Sequence, residues 1–535
     1  MMDLSAAALF FCLCLFFISF IFFRSLPSPP TKNSCPHSYP IIGNLIALLR
    51  NRHRFHDWIA DMLSTTPSLT LQVNTFLNAS HGVCTANPLN VNHLLVSNFP
   101  NYIKGSRIHD VLHELLGDGI FNVDGHLWTV QRKISSHEFN TKSLKHFISD
   151  TVQSELSTRL IPFLSSACEN NQVIDLQDVL RKVMFDNICN LAFGADPACL
   201  SSEAVGENSL NLSFVQAFDD AVEISTSRYL LPIHVIWKIK RFFNIGSEKR
   251  LKEAIGIINE YANMIIKSKE DQIGSGDCGN LDLLSRFMSS SSNFGLGFDD
   301  QEHKRKFLRD IVISFILAGK DTTSTALTWF FWLMAGNPRC EGLILAELSE
   351  AAPAPATSPV IFSYDDLKGL NYLHAAISES LRLFPPVPID SRLAVDDDIL
   401  PDGTQVCKGW FADYSAYAIG RMHQVWGPDC REYRPERWLD DDGRFRPSDQ
   451  FRFPVFHCGP RVCLGKEMAY VQMKSIAASV MREFEIVAVD GGGCAGKMAV
   501  PPYTPSIVLK MRGGLPVRVK RRRQPNATSG STSTA

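Results

Sequence analysis

Ten residues, Phe456-His457-Cys458-Gly459-Pro460-Arg461-Val462-Cys463-Leu464-Gly465, carry the most explicit chemistry in the chain. Cys463 is a thiolate candidate between Gly459 and Gly465, with Arg461 two residues before it and a helix-like run starting at Lys466. A thiolate stays anionic when backbone N–H groups and a helix N-terminus lie close to it. Glycines admit a flat group against the backbone, and an arginine pairs with carboxylates. Rival readings fail on spacing. Cys458-x4-Cys463 imitates the start of an iron–sulfur run, but Lys466 stands where its third cysteine belongs. His457 has no nearby Cys/His pair at zinc-site spacing, so Cys458 and His457 read as packing residues.

Three further constellations stand out. Residues 307–338, FLRDIVISFILAGKDTTSTALTWFFWLMAGNP, are apolar nearly all round and stop at Gly336-Asn337-Pro338, which predicts a core helix. Its centre breaks helix rules with Gly319 and the run Thr322, Thr323, Ser324, Thr325. A glycine there costs about 1 kcal/mol against alanine, and such local violations mark functional sites. The bland alternative is that Thr322 only bonds back to the Ala318 carbonyl. Glu379 and Arg382 share a helix face at i and i+3. Glu302 and Arg305 have the same spacing, but only the first pair is followed by LFPPVP and later by Arg434-Pro435-Glu436-Arg437-Trp438. Trp128 and Arg132 point the same way one turn apart and suit a carboxylate, whereas Trp237 and Arg241 sit in WKIKRFF, a basic amphipathic stretch expected to face membrane or solvent.

These groups must be positioned by a large body. The chain has 535 residues, 45% of them hydrophobic, and a formal charge of −2, which gives no case for nucleic-acid binding. No internal repeat or long linker divides it. Fourteen cysteines lack framework spacing and read as reduced thiols. Residues 1–24 read as a membrane anchor: Leu4 to Phe23 carry no charge, Asp3 precedes them, and Arg24 and Lys32 follow, which places the remainder in the cytosol. The sequons at Asn78, Asn211 and Asn526 should then stay bare. A proline-rich linker spans 25–40, a catalytic domain 41–518, and a disordered basic and polar tail 519–535. Most of 105–395 reads as helix, strand-like stretches appear at 69–73 and 506–511, and breaks fall at 274–280, 289–297 and 351–359.

The ten-residue stretch matches F-x-x-G-x-R-x-C-x-G, the haem-binding signature of the cytochrome P450 monooxygenases, at every fixed position, and the resemblance extends over about residues 38–518. It implies a mainly α fold with small β-sheets, preceded here by a single transmembrane helix. It implies haem b with Cys463 as axial thiolate, a ligand that favours O–O cleavage. Trp128, Arg132 and Arg461 then become propionate contacts beside Phe456 and Gly465, with Arg392 as a fourth or as a substrate anchor. Ala318-Gly319-Lys320-Asp321-Thr322-Thr323 resembles the family's oxygen-activation motif, with Thr322 bonding dioxygen and Asp321 relaying protons. Glu379, Arg382 and Arg437 would form a structural cluster beneath the haem. Electrons would come from NADPH through NADPH-cytochrome P450 reductase, docking near Lys133, Arg452 and Lys466, at the endoplasmic reticulum membrane.

Stretches such as GIFNVDGHLW, SSHEFNTKSL and FRFPVFHCGPRVCLGKEMA resemble the plant fatty-acid omega-hydroxylase group. The activity implied is hydroxylation of the terminal carbon of a fatty acid, with a steroid side chain or a jasmonoyl–amino acid as alternatives. A haem-thiolate isomerase needing no O2 is an alternative of another class, opposed by the presence of Asp321 and Thr322. Terminal attack needs a narrow channel, for which Phe121, Phe315, Ala318, Val387 and Ile389 are candidate walls.

Overall fold

The computed structural model describes residues 43–522, apart from 75–80, 138, 140, 202–208, 231–234, 276–281, 291–299, 352–360 and 490–499. The expected anchor, the linker, the sequons at Asn78 and Asn526 and most of the three expected breaks lie outside the described residues. Among the described residues no helix is long and apolar enough to cross a membrane. Asn211 lies on a helix and donates its side-chain amide to the Pro197 carbonyl at 3.1 Å.

Among the described residues ten short strands run in chain order: β1 (Thr70–Asn74), β2 (His81–Thr85), β3 (Tyr102–Ile103), β4 (Val173–Asp175), β5 (Asp390–Ala394), β6 (Asp398–Ile399), β7 (Gln405–Val406), β8 (Phe411–Tyr414), β9 (Phe484–Ala488) and β10 (Pro516–Arg521). They form a five-stranded sheet in the order β1-β2-β8-β5-β3, a three-stranded sheet β4-β10-β9 and the pair β6-β7. Within the large sheet β2 and β8 pair in parallel and the other pairs are antiparallel. This brings Asp390 and Ser391 beside Lys104 and Arg107, 286 and 284 positions earlier in the chain.

The helices that carry chemistry are α1 (Gly105–Leu116), α2 (Gly125–Ser136), α3 (Leu176–Phe193), α4 (Ser209–Leu230), α5 (Gly246–Gly274), α6 (Gln301–Ile316), α7 (Thr322–Gly336), α8 (Asn371–Leu383) and α9 (Lys466–Glu483). Two apolar cores result. One gathers α3, α7, α8, α9 and the sheets, and the other gathers α4, α5 and α6 with parts of α1, α2 and α3. The expected core helix is present. It starts at Gln301, capped by the Asp300 side chain, and ends at Gly336, where Asn337 and Pro338 stop it.

Three expectations are corrected. The tail does not begin at 519, because Val519, Lys520 and Arg521 pair with Ile486, Glu485 and Phe484, and Arg522 bonds Glu341. Residues 506–511 are not a strand; apart from an isolated bridge at Met511 they form bends and irregular backbone, with Leu509 O accepting from Trp329 Nε1 at 2.7 Å. Trp237 is buried beneath the Arg228 guanidinium rather than facing outward, although Lys238, Ile239 and Phe242 beside it are exposed.

Burial holds the imidazoles of His56, His374 and His457 below their usual 6.5, at about 4, about 3 and about 4. The unfolded chain protonates these groups more readily than the folded one, so stability is complete above about pH 6.5 and falls as the pH drops towards 4. His374 is stacked between Phe445 and Tyr470, at 3.9 and 4.3 Å between ring centroids. His374→Phe should therefore flatten the fall in thermal midpoint between about pH 7 and about pH 5. A wild-type midpoint that does not move over this range contradicts the assignment.

Candidate active site

A π turn, Leu317–Asp321, interrupts the helix between α6 and α7. Such turns widen a helix locally and concentrate at functional positions. Gly319 is required there for packing, because a Cβ would lie 2.5 Å from Ile188 Cγ1 of α3. Thr322 Oγ1 donates to Ala318 O at 2.6 Å, as the bland alternative anticipated. Thr322 nonetheless lines an inner cavity of about 250 Å³ together with Ala318, Gly319, Phe315 and Cys463. A hydroxyl that donates to the backbone still has acceptor lone pairs to offer the cavity.

Asp321 does not line this cavity. It is fully buried on the far side of the turn, with Oδ1 2.5 Å from Lys320 Nζ and 3.9 Å from Lys510 Nζ, while Lys320 also reaches Asp219 at 3.0 Å. Its Oδ2 has no hydrogen-bond partner among the described residues. Burial pushes the Asp321 carboxyl up, but Lys320 and Lys510 more than offset this and hold it below the usual carboxylate range. Burial brings the Lys320 ammonium down to about 7. The acid sits in an ionic nest rather than in open water.

The cysteine loop is pinned by Cys463 N donating to Phe456 O at 2.8 Å and by Arg132 Nη2 donating to Val462 O at 2.5 Å. Burial pushes the Cys463 thiol up and outweighs the Gly465 N–H, Arg132 and Lys466, which act in the opposite sense. A bound cation would finish the deprotonation. Gly459 also serves a different end. Its φ is +63°, and a Cβ there would lie 2.2 Å from Leu95 O, so the glycine admits a neighbouring segment. At Gly465 a Cβ would stand 3.9 Å from Cys463 Sγ.

Lys104, Arg132, Arg392 and Arg461 line the inner cavity, and among the described residues no Asp or Glu does. Carboxylates stand behind them: Asp390 takes Lys104 at 2.6 Å and Arg392 at 2.5 Å, and Asp124 takes Arg461 at 2.7 Å. The Nε atoms of Arg392 and Arg461 are buried without a hydrogen-bond partner among the described residues. The Arg461 guanidinium lies 4.5 Å over Trp128, and burial lowers it to about 10. An apolar slot with a cysteine on one side, a helix with small residues on the other and unsatisfied guanidinium N–H groups at the rim suits a flat group with anionic substituents. Haem is such a group, so the residues fit it. Arg392 lines the inner cavity and not the neighbouring one.

His457 corrects the packing assignment. It adopts a φ of +57°, lines both cavities, bonds Tyr414 through Nδ1 and lies 3.7 Å from Asp390. Cys458, buried with its thiol on Gln450 O at 3.2 Å, is a packing residue as expected.

Glu379, Arg382 and Arg437 meet. Glu379 accepts from Arg382 Nε and Nη2, each at 2.7 Å, from Arg437 Nε at 2.8 Å, from Trp438 Nε1 at 2.9 Å and from the Arg434 backbone at 2.9 Å. Arg382 also donates to the carbonyls of Gly420, Cys430 and Glu432. The Trp438 ring packs edge-on against Phe453 at 4.8 Å, immediately before the Pro454–Phe456 turn that opens the cysteine loop.

An outer cavity of about 360 Å³ shares Lys104, Phe121, Ala318, Thr322, Val387 and His457 with the inner one. Ile389 lines only the outer cavity and Phe315 only the inner. Arg107 also lines the outer cavity and was not anticipated. Its Nη1 is 3.4 Å from Ser391 Oγ and 3.6 Å from Asp413, and its guanidinium lies 3.7 Å over Phe411. No motif flags Arg107 or Lys104, because their partners come from distant strands. Of the expected docking residues, Lys133 and Arg452 are exposed and Lys466 is half-buried.

The sequence model described as Cytochrome P450 matches residues 34–497. Cytochrome P450 94A1 of Vicia sativa is 45% identical over 494 residues, 91% of this chain and 90% of its own length. Cytochrome P450 94B3 of Arabidopsis thaliana is 42% identical over 528 residues, 97% and 98% of the two chains. Cytochrome P450 86B1 of the same plant is 39% identical over 477 residues, 87% and 83%. Site and sequence agree: the chain belongs to the cytochrome P450 family of haem-thiolate monooxygenases.

Proposed function

We propose that this monooxygenase hydroxylates the terminal carbon of a carboxylate-bearing aliphatic chain, a fatty acid first. The balance is one methyl group, O2, NADPH and a proton giving a primary alcohol, water and NADP+. The observation that carries the reading is the pairing of two cavities through a shared wall that includes Phe121, Ala318 and Val387, with Arg107 in the outer one. A primary C–H is harder to break than its neighbours, so the site must present the chain end alone. Small residues at Ala318 and Gly319 leave space beside Thr322, while Phe121, Phe315 and Val387 restrict what else reaches it.

Bound in the inner cavity on Cys463, haem supplies oxygen activation at a thiolate-ligated iron. Trp128, Arg132, Arg392 and Arg461 would hold its carboxylates. Thr322 Oγ1 presents a hydroxyl to the cavity, and Asp321, held ionised on the far side of the turn beside Lys320, would take up and pass on protons without facing the cavity itself. Arg107, half-buried and stacked on the buried Phe411 ring, sits where a charge-assisted bond to a substrate carboxylate is strong. A jasmonoyl–amino acid also ends in a carboxylate and suits the same arginine; a steroid side chain has none to offer. We place the enzyme at the endoplasmic reticulum membrane on an anchor at residues 1–24, with NADPH-cytochrome P450 reductase docking near Lys133, Arg452 and Lys466.

Membranes carrying the enzyme and reductase, incubated with a panel of fatty acids, jasmonoyl conjugates and sterols, should give omega-alcohols of the carboxylates. Arg107→Gln should raise the KM for a fatty acid by ~10–100-fold, from loss of a hydrogen bond to a charged group worth about 1.5–3 kcal/mol, and should leave the KM for the matching fatty alcohol nearly unchanged. Mid-chain products, or an equal rise for the alcohol, contradict the proposal.

A further inference from the structure

We propose that His109, His113 and Asp118 form a binding site for one divalent transition metal of the zinc type. His109 and His113 lie at i and i+4 on α1, one above the other on the same face. Asp118 follows the Gly117 turn that ends the helix. One ligand atom from each residue lies within 4.8 Å of the other two. His109 Nε2 stands 3.3 Å from Asp118 Oδ1. That separation is the edge of a tetrahedron whose metal–ligand bonds are about 2.0–2.1 Å.

The surroundings favour a metal over a simple ion pair. His109 Nε2 faces Asp118, while its Nδ1 lies 3.8 Å from Asp110 Oδ1, beyond hydrogen-bond distance. The two imidazole rings are 4.8 Å apart between centroids, and His113 Nδ1 is buried without a hydrogen-bond partner among the described residues. The opposing charge is Lys306, whose Nζ is 3.9 Å from Asp118 Oδ2, an exposed side chain free to swing away.

Two imidazoles and one carboxylate select zinc-like ions over magnesium or calcium, which prefer oxygen alone. Three protein donors leave the fourth position to water. The carrier turn is already tied to α6 by Asp118 N donating to Asp310 Oδ2 at 2.9 Å. Ile108, Val111 and Leu112 of the same helix line the outer cavity. A metal here would clip the end of α1 to that turn and stiffen one wall of the outer cavity.

The test is calorimetric titration of detergent-solubilised full-length holoenzyme with Zn(II), and separately Mg(II), in a Cys407→Ser background, because Cys407 is an exposed thiol. One saturable zinc site and no magnesium site are expected. His109→Ala and Asp118→Asn should each weaken zinc by roughly tenfold or more, with the reduced carbon monoxide spectrum unchanged as evidence of an intact fold. Absence of saturable zinc binding, or equal binding by the His109→Ala/His113→Ala double variant, overturns the proposal.

Discussion

Arg382→Ala is expected to yield a chain without haem. Glu379 and Arg382 have fully buried side chains, and Glu379 is matched by donors from Arg382, Arg434, Arg437 and Trp438. A buried ion pair adds little net stability while intact, since desolvation offsets attraction. Removing one partner is different. It strands the other charge and typically costs about 3–5 kcal/mol, a large share of a total stability of about 5–15 kcal/mol. Arg382 also ties the carbonyls of Gly420, Cys430 and Glu432 to one point. Through Trp438 and Phe453 the cluster supports the turn that opens the cysteine loop. Arg382→Lys should not rescue it, because an ammonium cannot reproduce this spread of directed donors. Haem per chain, measured after extraction, is the readout. Normal haem content in Arg382→Ala would leave the cluster without its assigned role.

Thr322→Ala should separate electron use from product. NADPH oxidation continues, product falls by ~10²-fold or more, and hydrogen peroxide accounts for the difference. Thr322 is the hydroxyl at the junction of the two cavities, and its hydrogen bond to Ala318 O fixes its rotamer rather than occupying its acceptor sites. Thr322→Ser keeps a hydroxyl and should recover most coupling. Asp321→Asn should lose product by a comparable factor. It also leaves Lys320 with Asp219 as its remaining carboxylate partner among those at hand. Unchanged product yield in Thr322→Ala would make that hydroxyl purely structural.

How far the site can be read from the chain depends on whether its parts are local. The cysteine loop is ten consecutive residues, the irregular helix centre six, and Glu379 and Arg382 lie one turn apart, so spacing alone exposes them. Arg437 is recognisable only beside Arg434 and Trp438, yet it lands on the same carboxylate. Lys104 and Arg107 are different. They gain meaning from Asp390, Ser391 and Asp413, which reach them only because β5 pairs with β8 and β3. His457 was visible but misread, since the backbone turn that aims it at the cavity, φ +57°, is not encoded by its own residue type. Asp321 was identified, but its ionic surroundings were not; the lysine that pairs with it is its own neighbour, whereas Asp219 and Lys510 come from other elements. The helices of 105–395 followed from apolar periodicity, and the mainly α fold as a whole from the family resemblance. Residues 506–511 carry a short apolar, β-branched run like a strand but are shaped by the cavity they border and by Trp329.

The account turns on sulfur at position 463 ligating haem iron. Purified protein from haem-replete cells, reduced and exposed to carbon monoxide, should show the strongly red-shifted Soret band of thiolate ligation, and Cys463→Ala should abolish it while the circular dichroism of the helices persists. A wild-type spectrum without that band, or a Cys463→Ala variant that retains it, contradicts the account.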